Sequence, residues 1–172
     1  MIRKEIIMNI LLAIIIAAFG GSIGMFFSFK LKEREKTMSL ALLLIKELAV
    51  QIRYTNAEIG EILLSATQKD EYNALLFIKE CVKTNKNGDY HLLWREGVKK
   101  QPFLTVKDRD LLNSLGDSLG QTDTEGQLSF LEMYEELVKR RIEEASTEYA
   151  DRGRVYRSVG LLCGLAAGIM VL

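Results

Sequence analysis

The chain has 172 residues, with 23 Lys and Arg against 23 Asp and Glu, one His, two Cys and one Pro. Its length suits one domain, and a single proline argues against a Pro-rich linker. The zero net charge lacks the basic excess of a general nucleic-acid binder, and one His with two Cys is too few for a structural zinc site.

Apolar residues concentrate at the two ends. After a short flank, residues 1–5, the stretch from Ile6 to Phe29 is 24 residues long without a formal charge. As a helix it spans roughly 36 Å, enough to cross a hydrocarbon core of about 30 Å with some tilt. A transmembrane helix over residues 6–29 is therefore expected. A cleaved signal peptide is the competing reading, since Arg3 and Lys4 precede the run and Ala18-Phe19-Gly20 resembles a cleavage site. The run continues nine residues past Gly20, longer than a usual signal core.

Residues 30–157 read as a helical bundle. Met38, Leu42, Ile45, Ala49 and Ile52 alternate at steps of four and three, which makes one apolar helical stripe, and no Gly or Pro separates them from the first span. Thr55 and Glu58 have capping-box spacing ahead of Ile59, Ile62, Leu63 and Ala66. A third helix carries Ala74, Leu75, Phe77, Ile78, Cys81 and Val82, with Asn87-Gly88 as a stop and Asp89 as the next cap. Leu92, Leu93 and Val98 belong to a short helix ending before Pro102. Thr105 is placed to cap a helix through Leu119, and Gly120 suits its left-handed closing residue. Thr122 with Glu125 repeats the capping spacing and opens a long helix with the stripe Phe130, Leu131, Tyr134, Leu137, Val138, Ile142 and Ala145. Glu135 with Lys139 and Glu136 with Arg140 are favourably ordered i,i+4 pairs on its exposed side.

Residues 158–172 carry no charge and cover only about 22 Å as a helix, so this C-terminal apolar segment is short for a full crossing. It either lies against the first span, thins the bilayer locally or inserts partway, or is a buried core helix. Lys30, Lys32, Arg34 and Lys36 follow the first span and Arg152, Arg154 and Arg157 precede the last segment, which places the central region in the cytoplasm by the positive-inside rule. Gly20 and Gly24, and Gly160, Gly164 and Gly168, repeat at intervals of four, the spacing that lets membrane helices approach closely. Frequent glycine in membrane helices is the bland alternative.

Catalytic patterns are missing from the sequence. There is no phosphate loop or dinucleotide fingerprint. His91, the sole imidazole, sits in a short amphipathic helix and reads as a surface or half-buried residue. Asp108 and Asp110 read as acids at a helix start, where they meet the helix dipole. Cys81 and Cys163 read as small apolar residues rather than reactive thiols. The expectation is a protein without enzymatic activity or cofactor.

Leu115-Gly116-Asp117-Ser118-Leu119-Gly120, then Asp123 and Gln127, a long charged helix, and Arg157-Ser158-Val159-Gly160-Leu161-Leu162-Cys163-Gly164-Leu165 together resemble the stage III sporulation protein AB family. The order of parts agrees, including a helix ending near Arg53-Tyr54-Thr55. Asn56-Ala57 departs from the Pro-Leu expected there. The resemblance implies an all-α, membrane-anchored antiparallel bundle similar to the F-type platform domain of type II secretion. It also implies a non-enzymatic scaffold in the mother cell–forespore channel of endospore formers, located in the mother-cell membrane. The implied partners are a cytoplasmic secretion-type ATPase and other stage III sporulation membrane proteins, with a homo-oligomer as a further option. Residues Leu115, Gly116, Leu119, Gly120, Asp123 and Gln127 then shape an interhelical turn or contact a partner. A membrane-bound sensor with a cytoplasmic signalling bundle is the alternative function.

Overall fold

Helical periodicity dominates the sequence, and the computed structural model, which describes residues 2–55, 57–82 and 90–170, contains only helices and loops among them. The helices are α1 (Ile2–Thr55), α2 (Ile59–Thr67), α3 (Leu76–Val82), α4 (Tyr90–Lys100), α5 (Val106–Ser118) and α6 (Thr124–Ile169), with a short 3-10 helix over Asp70–Ala74. The chain divides into two compact units. One comprises residues 1–33 and 145–172, the other Arg34–Glu144.

In the first unit the N-terminal part of α1 runs antiparallel to the C-terminal part of α6. Small residues lie inside, with Ala13, Gly24, Gly153, Gly164 and Gly168 buried, while Phe19, Met25, Leu162 and Ile169 face outward.

The second unit is a helical bundle around a continuous apolar core. From α1 that core takes Met38, Ala41, Leu44, Ile45, Leu48 and Ile52. The buried face is thus wider than the expected stripe, and Leu42 and Ala49 lie at its margin. Trp94 and Phe77 are fully buried and pack at a tilt of 53° with centroids 4.7 Å apart, each contributing roughly 1.5–3 kcal/mol of apolar burial. The close approach of α3 and α4 depends on Gly97, where a side-chain carbon would collide with the backbone of Phe77.

Several local expectations are corrected. Thr55 does not open α2: α1 runs through it, its hydroxyl donates to the Gln51 carbonyl at 2.7 Å, and Glu58 occupies the N-cap without a side-chain bond. A hydroxyl in the last turn of a helix finds the i−4 carbonyl closer than the next helix's amides. Ala74 and Leu75 precede α3, because the Gln101 side chain holds the break open. Its amide donates to Ala74 O at 3.0 Å, and its carbonyl accepts from Leu76 N at 2.7 Å. The cap of α6 is Asp123, not Thr122, with Asp123 Oδ1 accepting from Gly126 N at 3.0 Å. Glu136 pairs with Lys139 at 2.8 Å rather than with Arg140, so Lys139 serves both Glu135 and Glu136. The Thr105 cap is present as a full capping box with Asp108, and α5 ends where Gly120 adopts φ 75°. The Asn87-Gly88 stop and the Asp89 cap lie outside the described residues.

Candidate functional site

The five glycines selected by their spacing lie along one seam of the first unit, between α1 and α6. A carbon added to Gly20 would sit 2.7 Å from Gly164 Cα and 2.9 Å from Gly160 O. One on Gly160 would sit 2.8 Å from both Gly20 O and Gly24 Cα, and one on Gly168 would lie 2.8 Å from Ala13 O. On Gly24 it would strike the Tyr156 carbonyl. The obstacles are backbone atoms, which cannot swing aside, so only glycine permits this approach. Gly21, adjacent in sequence, has open space beside it. Helices this close gain dispersion contacts without any hydrophobic driving force. From Leu11 onward α1 is long and apolar enough to cross a membrane, with a window of mean hydropathy 2.1 of which 17% is buried.

In the second unit the Leu-Gly turn forms the corner between α5 and α6. Leu115 and Leu119 are core residues. Gly116 lies against the Trp94 indole, whose Nε1 would be 2.5 Å from an added carbon and donates to Leu112 O at 2.7 Å. His91 Nδ1 lies 2.8 Å from Gly116 O, a contact that requires the proton on Nδ1. At Gly120 the left-handed backbone and the Tyr90 hydroxyl together exclude a side chain, and that hydroxyl donates to Leu119 O at 2.8 Å. Gln127 Nε2 donates to Thr122 O at 2.9 Å while Oε1 accepts from Gly120 N at 3.4 Å. Gln127 and Asp123 thus fasten the corner, whereas Asp117 pairs with Arg95 of α4. Gly120 and Gln127 also line an open cleft of about 540 Å³, shared with Ile52, Ile59, Tyr90 and Thr124.

The sequence model of stage III sporulation protein AB matches residues 9–172. The chain belongs to the stage III sporulation protein AB family. Family membership assigns it a sporulation-related role. No curated protein and no solved structure matches the chain. The matched span takes in both the glycine seam and the Leu-Gly corner.

An ionic cluster in the second unit escaped the sequence reading. Asp108 is fully buried. Its Oδ2 accepts from Arg34 Nε at 2.7 Å and from Thr105 N at 3.0 Å. Its Oδ1 accepts from Arg141 Nε at 2.9 Å and from Arg34 Nη2 at 3.2 Å. Burial raises the carboxyl's pKa, but bonds from Arg34, Thr105 and Arg141 outweigh it and hold the group at about 2. Asp108 is therefore more than a helix-start acid: it ties α1, α5 and α6 together. Its helix-start position was visible in Thr105-x-x-Asp108, but its arginines lie 74 and 33 residues away.

Cys81 and Glu47 are held in structural settings. Burial pushes the Cys81 thiol up to about 12, which leaves it protonated and poorly nucleophilic. Burial raises and the Lys69 and Tyr72 bonds more than offset Glu47, whose pKa falls on balance. Among the described residues no three His, Cys, Asp or Glu gather as a metal site.

Proposed function

We propose that this chain is a non-enzymatic membrane platform of the mother cell–forespore channel complex, coupling a cytoplasmic ATPase to membrane components. The observation that carries the reading is the glycine seam. It makes a two-helix unit with backbone packing inside and large apolar side chains outside, which suits lipid as the surroundings. The flanking cations support a cytoplasmic location for the bundle. The bundle's own side chains, engaged in core packing, caps and ion pairs, suit a scaffold better than a catalyst. Its type II secretion F-like character belongs to the same proposal.

Co-purification tests it. In sporulating cells, the full chain extracted from membranes should carry the ATPase and other channel proteins with it. Extraction without them, under conditions where those proteins remain intact, overturns the platform reading.

A further inference from the structure

We propose that the border of the two-helix unit is a binding surface for anionic phospholipid headgroups, an assignment that rests on the membrane reading above. Five cations, Lys30, Lys32, Arg152, Arg154 and Arg157, occupy this border. The geometry brings them to a common depth. Phe27 packs against Tyr156 with ring centroids 5.5 Å apart, and a carbon added to Gly153 would lie 3.2 Å from Ser28 Oγ. Residues 27–28 of α1 are therefore level with 153–156 of α6.

At a rise of about 1.5 Å per residue, the α-carbons of Lys30, Lys32, Arg152 and Arg154 all lie within about 6 Å of that level along the helix axes. Arg157 starts one turn deeper, but its Nε donates to Gly153 O at 3.2 Å, which lifts the guanidinium back toward the same level. Lys30 leans the opposite way, with Nζ 5.7 Å from the ring centroids of both Phe26 and Phe27. Charges from both helices thus converge on one layer, beside Tyr156, whose amphipathic ring is of the kind that settles at a lipid headgroup boundary.

Acids at this border are fewer. Glu148 pairs with Arg152 at 2.9 Å, Glu33 is half-buried, and Asp151 is exposed. Five cations against three acids leave the layer net positive, and Lys32, Arg154 and Arg157 are exposed. Guanidinium forks match phosphate oxygens in geometry as well as charge. The complementary occupant is the phosphate of an anionic lipid such as phosphatidylglycerol, already at this depth in a bilayer.

The test uses the full chain in phosphatidylcholine vesicles doped with spin-labelled phosphatidylglycerol or spin-labelled phosphatidylcholine, and reads the motionally restricted lipid by electron paramagnetic resonance. Preference for the anionic label should be about fivefold or more at low salt, the worth of roughly one headgroup-level cation, and should fall as salt rises. The triple variant K32Q/R154Q/R157Q should approach parity, and K32R/R154K/R157K should retain the preference. Equal restriction of both labels by the native chain overturns the lipid assignment while leaving membrane insertion standing. Restriction of neither label overturns insertion as well. Undiminished preference in the glutamine variant shows that these cations are not the site.

Discussion

Asp108 shows how one side chain can hold a bundle together. Its neighbours include two guanidiniums largely withdrawn from bulk water, so removing the carboxylate charge takes a buried counterion from Arg34 and one of two from Arg141, which also pairs with Glu144. Asp108→Asn should destabilise the full chain in detergent by about 3–5 kcal/mol, read as a lowered thermal midpoint. The pH dependence has a fixed sign. A carboxyl at about 2 in the folded state and about 3.9 unfolded stabilises the fold fully above the unfolded value. That contribution, on the order of 2 kcal/mol, disappears as pH falls through the folded value, and Asp108→Asn should flatten that part of the stability profile. Gln101 is comparable in kind: its side chain satisfies Ala74 O and Leu76 N at the start of α3. Gln101→Ala should cost about 1–3 kcal/mol through those orphaned groups. Neither role was legible in the sequence. A buried polar residue is defined by partners that only the folded chain brings near, and Arg34, 74 residues before Asp108, leaves no local pattern.

At the scale of elements, what was readable depended on whether the signal was repeated. The α6 stripe and the glycine intervals repeat along a helix, and each repetition narrows the reading. The Thr-x-x-Glu spacing occurs once at each site. It was present at Thr55 and Thr122, and in both places another residue caps the helix, Glu58 by backbone position and Asp123 by its carboxylate. Such a pattern records a hydroxyl near an acid but not which helix end the hydroxyl serves. The glycine seam offers a paired test within a single turn. Gly20→Ala drives a methyl into the backbone at Gly160 and Gly164 and should destabilise the first unit by about 1–3 kcal/mol. Gly21→Ala meets open space and should stay within about 0.5 kcal/mol of the native chain. Thermal melts of the two full-length variants in the same detergent check the contrast. An equal loss in both would mean that glycine matters here for reasons other than contact.

For the molecule as a whole, the balanced composition is the average of two unlike units. One exposes apolar side chains around a small-residue interior, and the other buries its apolar side chains beneath charge. The all-helical class was legible because stripes at helical spacing recur across the chain. The division at residues 33/34 and 144/145 was less so, because α1 and α6 each contribute to both units without a glycine or proline to mark the change. The proposed platform role predicts no intrinsic nucleotide turnover, and purified full chain assayed for phosphate release checks it. The seam also separates two tasks. Glycines at 160, 164 and 168 are evenly stepped, as are 20 and 24, so sliding α6 by one turn would again set glycine against glycine. The seam sets closeness but is nearly blind to register. Register falls to features that do not repeat: the Phe27–Tyr156 ring contact and the Gly153 notch beside Ser28. Within the first unit the two helices thus resemble a smooth rail with two stops, one an aromatic contact and the other a notch.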